Sequence, residues 1–543
     1  MKRIIFFALS LFACSSAFSQ TAPPSDLITI EQSFKKLDVL GSVLYVAAHP
    51  DDENTRLLAY LAQEKHYRTG YLSLTRGDGG QNLIGNEQGE QLGLIRTQEL
   101  LAARRMDGAE QFFSRANDFG FSKGPGETLK IWDKEKVLSD VVWVIRKFRP
   151  DVIICRFPTT GEGGHGHHTA SAILAQEAFT AAADPNRFPE QLKYVNVWQA
   201  KRLLWNTFSF GSINTTSPNQ FKIDVGVYNP IIGKGYGEIA AESRSNHKTQ
   251  GFGTAKQRGE TFEYFKTILG DAPKTDLMDG INTTWGRVGA EDISTELSKI
   301  QKGFDIDHPD KSVPALVKLL GKVEKVKDDY WRSQKTKGLD ELIAACAGLW
   351  VESYAADPIY AVGDAISAKT QFLLRYNIDA QLTDVYYSYY NETNPVKIVD
   401  VFGKNDASKY VLNKSVNVLQ DFDSQFQAGS ITQPYWLVYP HAIGTYDIDY
   451  LTDINNTAPR ALPESIPYST HITFKILGKE IEFERPIKYK HVDPARGELY
   501  EPLVIAPPVT AKIADKDYIF NSTKPKNVEV KLKSFTTASG SIS

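Results

Sequence analysis

Cysteine is scarce, with 3 in 543 residues. Cys14 lies in a distinct N-terminal segment, whereas Cys155 and Cys346 fall in an apolar strand pattern and an apolar helix pattern. Two lone cysteines exclude a disulfide framework and read as buried thiols. Long apolar runs are missing as well: beyond the first twenty residues none reaches the ~18 needed to cross a bilayer as a helix, so no transmembrane span is expected. Charge of one sign is also lacking. Net charge is -3, and without a basic run or stripe nucleic acid is not an expected partner. The sequence shows no repeat or low-complexity tract. What is there is ordinary for a globular chain, 42% hydrophobic and 23% charged, and its length suits roughly two to four domains.

The first residues stand apart. Lys2 and Arg3 precede a short apolar core, Ile4 to Ala13, followed by "CSSAFSQ". That order is the pattern of a secretory signal peptide, residues 1–19 with cleavage after Ser19, and it predicts a secreted or periplasmic protein. A second reading takes "LFAC" as a lipoprotein box, with Cys14 acylated and the protein lipid-anchored at the cell surface. The bulk of Phe12 counts against that box.

Strand and helix patterns alternate from about 36 to 290. The expected strands are Val43 to Ala48, Thr69 to Thr75, Asp151 to Phe157 and Arg202 to Phe208. The expected helices are Asn54 to Gln63, Gln88 to Met106, Lys134 to Phe148 and His168 to Ala183. Continuous apolar strands at 43 and 151 suit a sheet covered on both faces, and the alternation implies an α/β fold with a mostly parallel sheet wrapped by helices. Residues 291–355 read as a helical connecting segment, with Leu316, Leu319, Leu320, Val323 and Val326, and then Leu339, Leu342, Ile343, Cys346, Leu349 and Trp350, at helical spacing. Residues 356–505 turn to strands. "HITFKILGKEIEF" alternates about Gly478-Lys479 as a hairpin, and "QPYWLVYP" and "AQLTDVYYSYY" are rich in strand formers. A β-sandwich-like module is expected there, followed by an additional β segment, 506–543.

The chemistry gathers at two strand ends. "AAHPDDE" closes the strand at 43 with His49, Asp51, Asp52 and Glu53, and "GGHGHHTAS" follows the strand at 151 with His165, His167 and His168. In an open α/β sheet, ligands bind at the carboxyl ends of strands. A catalytic zinc takes three ligands from histidine and carboxylate and keeps a position for water. His49 and Asp52 could supply two, and one of the three later histidines the third. Asp51 is then a spare carboxylate where a general base belongs, and a spare histidine could polarise a carbonyl or protonate a leaving group. The plainer alternative is an acidic helix start, Glu53 included, favoured by the helix dipole. A single acidic cluster fits that account, but two histidine clusters at strand ends do not need it.

These motifs resemble the two signatures of the PIG-L (LmbE-like) family of zinc-dependent N-acetylglucosaminyl deacetylases, over about residues 40–290. The resemblance implies a Rossmann-like three-layer α/β sandwich. It implies His49, Asp52 and His168 as zinc ligands, Asp51 as general base, and His165 as the residue that steadies the tetrahedral intermediate or assists the departing amine. His167 stands where the family commonly has aspartate. "TRGDGGQN" resembles a family loop, with Asp78 where glutamate is usual. "RTQELLAA" gives Arg96 and Glu99, a pair often found near the family's substrate cleft. Asp78 and Arg96 are therefore candidates for substrate binding, and the alternative for Arg96 and Glu99 is a helix-surface ion pair. "HKTQG", with His247 and Gln250, resembles a late family segment and is given no catalytic role.

The leading functional expectation is a secreted, zinc-dependent N-deacetylase acting on an N-acetylated amino sugar or glycoconjugate. Iron or cobalt could also occupy two histidines and a carboxylate. A second expectation is a metal-dependent hydrolase of another amide or ester on a glycan. A third, of a different class, is a non-catalytic glycan-binding surface protein, whose β-module would stack sugars on Tyr386, Tyr387, Tyr389, Tyr390 or Trp436. Core packing is the plainer role for those rings.

Overall fold

The computed structural model describes residues 26–389, 397–400, 410–412, 416–451, 460–465, 468–513 and 518–536. The signal segment, Cys14 and Tyr390 lie outside the described residues.

Helix α1 (Leu27–Asp38) is capped by Asp26, whose side chain accepts from the Thr29 backbone N–H. There follow β1 (Ser42–Ala47), α2 (Thr55–Ala59, continued by a π-turn to Glu64), β2 (Arg68–Ser73), α3 (Glu90–Asp107), β3 (Glu110–Phe113), α4 (Pro125–Ile131), α5 (Lys134–Phe148), β4 (Val152–Cys155), α6 (Gly166–Ala181), β5 (Arg202–Thr207), β6 (Phe221–Asp224), α7 (Tyr236–Arg244) and β7 (Phe262–Gly270). The strands form one seven-stranded sheet in the order β3-β2-β1-β4-β5-β7-β6. The first five are parallel, and β7 runs antiparallel to both β5 and β6.

Alternation along β1 divides the core. Leu44 and Val46 join Ile153, Leu174 and the apolar face of α5 on one side, while Val43, Tyr45 and Ala47 join Leu57, Leu61 and Leu100 on the other. Both faces are therefore covered, as the continuous apolar strands require. The expected strands and helices all form, with ends shifted by at most two residues. The sequence reading omits β3, β6 and β7. β3 is only four residues long, and β6 is partly exposed throughout, so neither carries a strong pattern.

After β1 the chain moves to β2 and β3 on one side, then returns to place β4 on the other. The strand order thus reverses between β1 and β4, which pair from Val43↔Val152 to Val46↔Cys155. This is the switch point at which open α/β sheets leave a crevice. It brings "AAHPDDE" and "GGHGHHTAS" together.

The second half begins with α8 (Glu291–Lys302), α9 (Val313–Val323) and α10 (Asp329–Ala347). Helix α10 stops at Gly348, which takes a left-handed conformation. Strand β8 (Leu349–Ala355) begins there, so Leu349 and Trp350 belong to a strand and not to the helical run expected to reach 355. Then come β9 (Ala365–Leu374), β10 (Ala380–Tyr389), β11 (Lys397–Asp400), β12 (Gln420–Gln427), β13 (Ser469–Ile476), β14 (Lys479–Pro486), β15 (Lys488–Asp493) and β16 (Gly497–Pro502). They make a five-stranded sheet, β12-β9-β8-β15-β16, and a four-stranded sheet, β11-β10-β13-β14. Phe372 of the first and Phe474 of the second share one apolar core with α1 and α8 to α10, their ring centroids 5.8 Å apart.

The expected hairpin is β13–β14, turned by Leu477 and Gly478, both at positive φ as a two-residue hairpin turn requires. "QPYWLVYP" is not a strand. It holds a 3-10 turn, Tyr435–Leu437, in the long connection from β12 to β13. Tyr435 and Trp436 are buried there with Tyr446 and Ile448, and the reason appears below. Tyr387 and Tyr389 are also buried. Cys155 and Cys346 are buried thiols. No helix among the described residues is long and apolar enough to cross a membrane.

Candidate metal centre

The turn after β1 is tight. The Asp52 carboxylate accepts the His49 backbone N–H at 2.8 Å and lies 3.2 Å from His49 Nδ1. Its other oxygen is 3.4 Å from His168 Nε2. The donor atoms of His49, Asp52 and His168 all lie within 4.8 Å of one another. Nδ1 of His168 is 2.8 Å from the Gly163 carbonyl, which places its proton there and leaves an Nε2 lone pair facing Asp52. The ring is steadied by stacking on Phe157, centroids 3.9 Å apart. Burial alone would raise the Asp52 carboxyl, but His168 and then His49, when protonated, hold it well below the ordinary carboxylate range. Two imidazole nitrogens and one ionised carboxylate suit a divalent transition metal.

A second group also converges within that distance: His49, His165 and His167. Its donors are already committed. His165 caps α6, and its Nδ1 accepts the His167 backbone N–H at 3.0 Å, which leaves the proton on Nε2. His167 Nδ1 lies 3.1 Å from His49 Nε2. In the neutral form that metal binding requires, with one lone pair, His49 would offer Nδ1 on the Asp52 side and donate from Nε2 to His167. The proton of His167 then falls on its own Nε2, which is buried without a partner among Trp132 and Phe119, ring centroids 4.6 and 4.5 Å away. Burial, and after it His49, holds His167 neutral. This network favours His49, Asp52 and His168 as the metal-holding set.

Asp51 adopts φ 107°, which L-residues rarely take. Arg96 Nη2 donates to its Oδ2 at 3.0 Å and to the Pro50 carbonyl at 2.6 Å, and Arg96 Nη1 donates to the Gly77 carbonyl at 3.0 Å. Arg244 donates to the Asp51 carbonyl at 2.9 Å. Burial raises the Asp51 carboxyl, against the opposing pull of Arg96. Arg96 itself is buried and turned toward Asp51. Glu99 turns elsewhere, accepting from the Thr249 N–H at 2.8 Å and its hydroxyl at 2.6 Å, so the pair is not a surface ion pair. Asp78 is buried too, and accepts from Tyr446 in the second half of the chain. Burial pushes its carboxyl up to about 6.

Glu53 is more than a helix start. Its side chain is fully buried, 3.0 Å from both Arg104 and His247, and it accepts the Asp51 N–H at 2.9 Å. The cap of α2 is Asn54, which accepts from Leu57 N. Gln250 donates to the Gln81 carbonyl at 2.7 Å. Asp118 was not singled out in the sequence. Its carboxylate lies 3.9 Å from His49 Nε2 and 3.7 Å from His167 Nδ1. Near "RANDFG" there is only a short strand, and no motif marks the residue.

Fold and site together define an α/β domain with a histidine–carboxylate centre at the switch point of its sheet. Residues 44–179 match the PIG-L family model, described as GlcNAc-PI de-N-acetylase. Mycothiol S-conjugate amidase of Streptomyces coelicolor is 28% identical over 203 residues, 35% of this chain and 68% of that protein. The 1D-myo-inositol 2-acetamido-2-deoxy-alpha-D-glucopyranoside deacetylase of Geodermatophilus obscurus is 29% identical over 180 residues, 30% of this chain and 60% of that one. Deacetylase 2 of the same description from Frankia casuarinae is 31% identical over 179 residues, 29% of this chain and 55% of that one. The match thus spans little more than half to two thirds of these relatives' lengths. The N,N'-diacetylchitobiose deacetylase from Pyrococcus horikoshii is 16% identical, with a TM-score of 0.32 over 44% of this chain and 88% of that one, a slight likeness.

Proposed function

We propose that the protein is a metal-dependent hydrolase that removes the N-acetyl group from an N-acetylated amino sugar or glycoconjugate. The observation that carries this reading is the convergence of His49, Asp52 and His168 beside Asp51 on a PIG-L segment. Similarity to deacetylases of an acetamido sugar supports it.

A divalent ion held by His49, Asp52 and His168, zinc first among the candidates, supplies a Lewis acid that makes water a nucleophile near neutral pH. Asp51 takes the proton that water loses as it attacks the acetamide carbonyl carbon. Arg96, with the Arg244 bond to the Asp51 backbone, aims that carboxyl. The raised affinity of Asp51 for a proton suits a base that must later give the proton back. His165 donates from Nε2 to the carbonyl oxygen as it gains charge. Asp51 then passes its proton to the sugar nitrogen as the C–N bond breaks, giving acetate and a free amine. Arg96 and Asp78 act here behind the base and not on the substrate.

The similarity to an amidase keeps a second reading in view, hydrolysis of another amide on a glycoconjugate. The proposed domain plan is an α/β domain over 36–290, a helical segment that ends at Ala347 and not at 355, a β-sandwich-like module supported by the shared core of its two sheets, and an additional β segment, 506–543. Export, by signal peptide or by acylation at Cys14, remains part of the proposal. The test is metal analysis together with acetate release from a panel of N-acetylated mono- and oligosaccharides. Metal-loaded protein that releases acetate from none of them would overturn the deacetylase reading, and glycan binding by metal-free protein would favour a binding module.

A further inference from the structure

We propose that the strand-rich half completes the metal centre of the α/β half, with Tyr446 as a positioning residue. The inference rests on the metal-centre reading above.

Strand β3 is an edge of the seven-stranded sheet, and the long connection from β12 to β13 covers the chain that leaves it. Tyr446 N–H donates to the Arg115 carbonyl at 2.8 Å, Asn117 N–H to the Gly444 carbonyl at 2.9 Å, and Phe113 N–H to the Ala461 carbonyl at 3.0 Å. Ala116 and Thr445 form an antiparallel bridge. The approach is close enough that a Cβ on Gly444 would collide with the Ile131 carbonyl.

Two loops of the α/β half are gripped in this way. In one, the guanidinium of Arg76, fully buried, lies 3.2 Å from the Trp436 ring centroid and 4.1 Å from that of Phe113. It donates to the carbonyls of Pro463 at 2.8 Å and Leu462 at 3.2 Å. The same loop carries Gly77, whose carbonyl holds Arg96 against Asp51. In the other loop, Asn117 Nδ2 donates to the Tyr446 hydroxyl at 3.1 Å, and the next residue is Asp118, the carboxylate facing His49 and His167. Tyr446 ties the loops together, because it also donates to Asp78. The loops touch directly as well: a Cβ on Gly79 would meet Asp118 Oδ1 at 2.6 Å.

One hydroxyl from the second half thus fixes what stands behind the base and what stands behind a metal-holding histidine. Groups around the outer nitrogen of such a histidine orient it, and their loss typically costs about 10- to 100-fold in affinity or activity. The sequence alone gives no sign of this, since Tyr446 and Asp78 are separated by 368 positions.

The test uses the full chain loaded with Co²⁺, whose visible absorption reports ligand geometry without substrate. Tyr446→Phe is expected to change that spectrum and to lower kcat about 10- to 100-fold with KM within about twofold. Tyr500→Phe, which removes a hydroxyl from the exposed end of the module, should do neither. Should Tyr446→Phe not fold, Arg76→Lys keeps the charge, gives up the fork to Leu462 and Pro463, and carries the same expectation. Wild-type protein that takes up no cobalt would overturn the metal-centre reading itself. Cobalt uptake with identical spectra and kcat in wild type and variants would overturn the present inference and leave that reading standing.

Discussion

Asp51 holds a positive φ between a proline and Asp52, a conformation that costs on the order of 1–3 kcal/mol for a non-glycine residue. Asparagine tolerates such angles, so Asp51→Asn should fold and keep its metal while turnover falls about 10²- to 10⁴-fold. Unchanged turnover on an accepted substrate, with metal retained, would remove Asp51 as the base. His165 gives a sharper distinction. With Nδ1 engaged by the His167 N–H, and with burial and then His49 lowering its pKa to about 4, it is neutral near pH 7 and, in the proposed mechanism, serves as an N–H donor. His165→Ala should lower kcat about 10²- to 10³-fold, and His165→Gln, which can still donate, should restore part of it. Equal losses in the two variants would favour proton delivery instead. These residues are legible in the sequence because each cluster is contiguous and sits at a strand end, where the chemistry of a sheet collects. Asp118 and Arg244 are not legible, since their roles arise only from the path of loops that carry no periodic signal.

At the level of elements, Glu53 binds three helices into one platform beneath the site. It precedes α2 and meets Arg104 of α3 and His247 just beyond α7, while Arg104 also pairs with Asp107, which accepts from Ser243 of α7. A carboxylate just after a strand looks the same in sequence whether it starts a helix or anchors a clamp. What separates the two is partners 51 and 194 positions away. The strand order is hidden for the same reason. Alternating elements predict a parallel sheet, but only the crossing from β3 back to β4 makes neighbours of the two motif strands. Burial by itself would raise the Glu53 carboxyl, yet Arg104 and His247 hold it far below its ordinary 4.5. A depressed folded-state pKa contributes stability that is fully present above the unfolded value and lost as pH falls below it. Glu53→Gln should therefore cost about 3 kcal/mol at pH 7, because it takes one of two carboxylate partners from the buried Arg104 guanidinium. The difference from wild type should shrink as pH drops below about 4.5. Denaturant unfolding of both proteins across that range is the measurement, and a difference independent of pH would exclude the clamp.

Across the whole molecule, the two halves are interlocked at two places, by α1 and by the β12–β13 connection. Helix α1 precedes the first strand of the α/β sheet, yet Ile30, Phe34 and Leu37 pack with Leu339 and Leu342 of α10. In return, the β12–β13 connection lies on the α/β half, where Arg115 pairs with Asp140 and Asp449, and Arg460 reaches Asp140 at 2.9 Å. Trp436 is the pivot of this contact, because its ring lies 3.2 Å from the buried Arg76 guanidinium, which also meets the Phe113 ring at 4.1 Å. Trp436→Ala should cost about 3–5 kcal/mol, as large-to-small changes at buried aromatics do. Where that cost appears decides what the contact is for. If the second half merely shields a self-sufficient enzyme, amide hydrogen exchange should rise in residues 435–451 alone. If the halves share one site, the amides of 75–80 and 114–118 should open with them, those of β8 and β9 should stay protected, and metal affinity should fall in step. A partly exposed tyrosine-rich stretch reads as a strand when judged by residue preference. In this fold the same residues are spent on another part of the chain, and for that reason "QPYWLVYP" is a turn with its tryptophan buried against an arginine more than three hundred positions earlier.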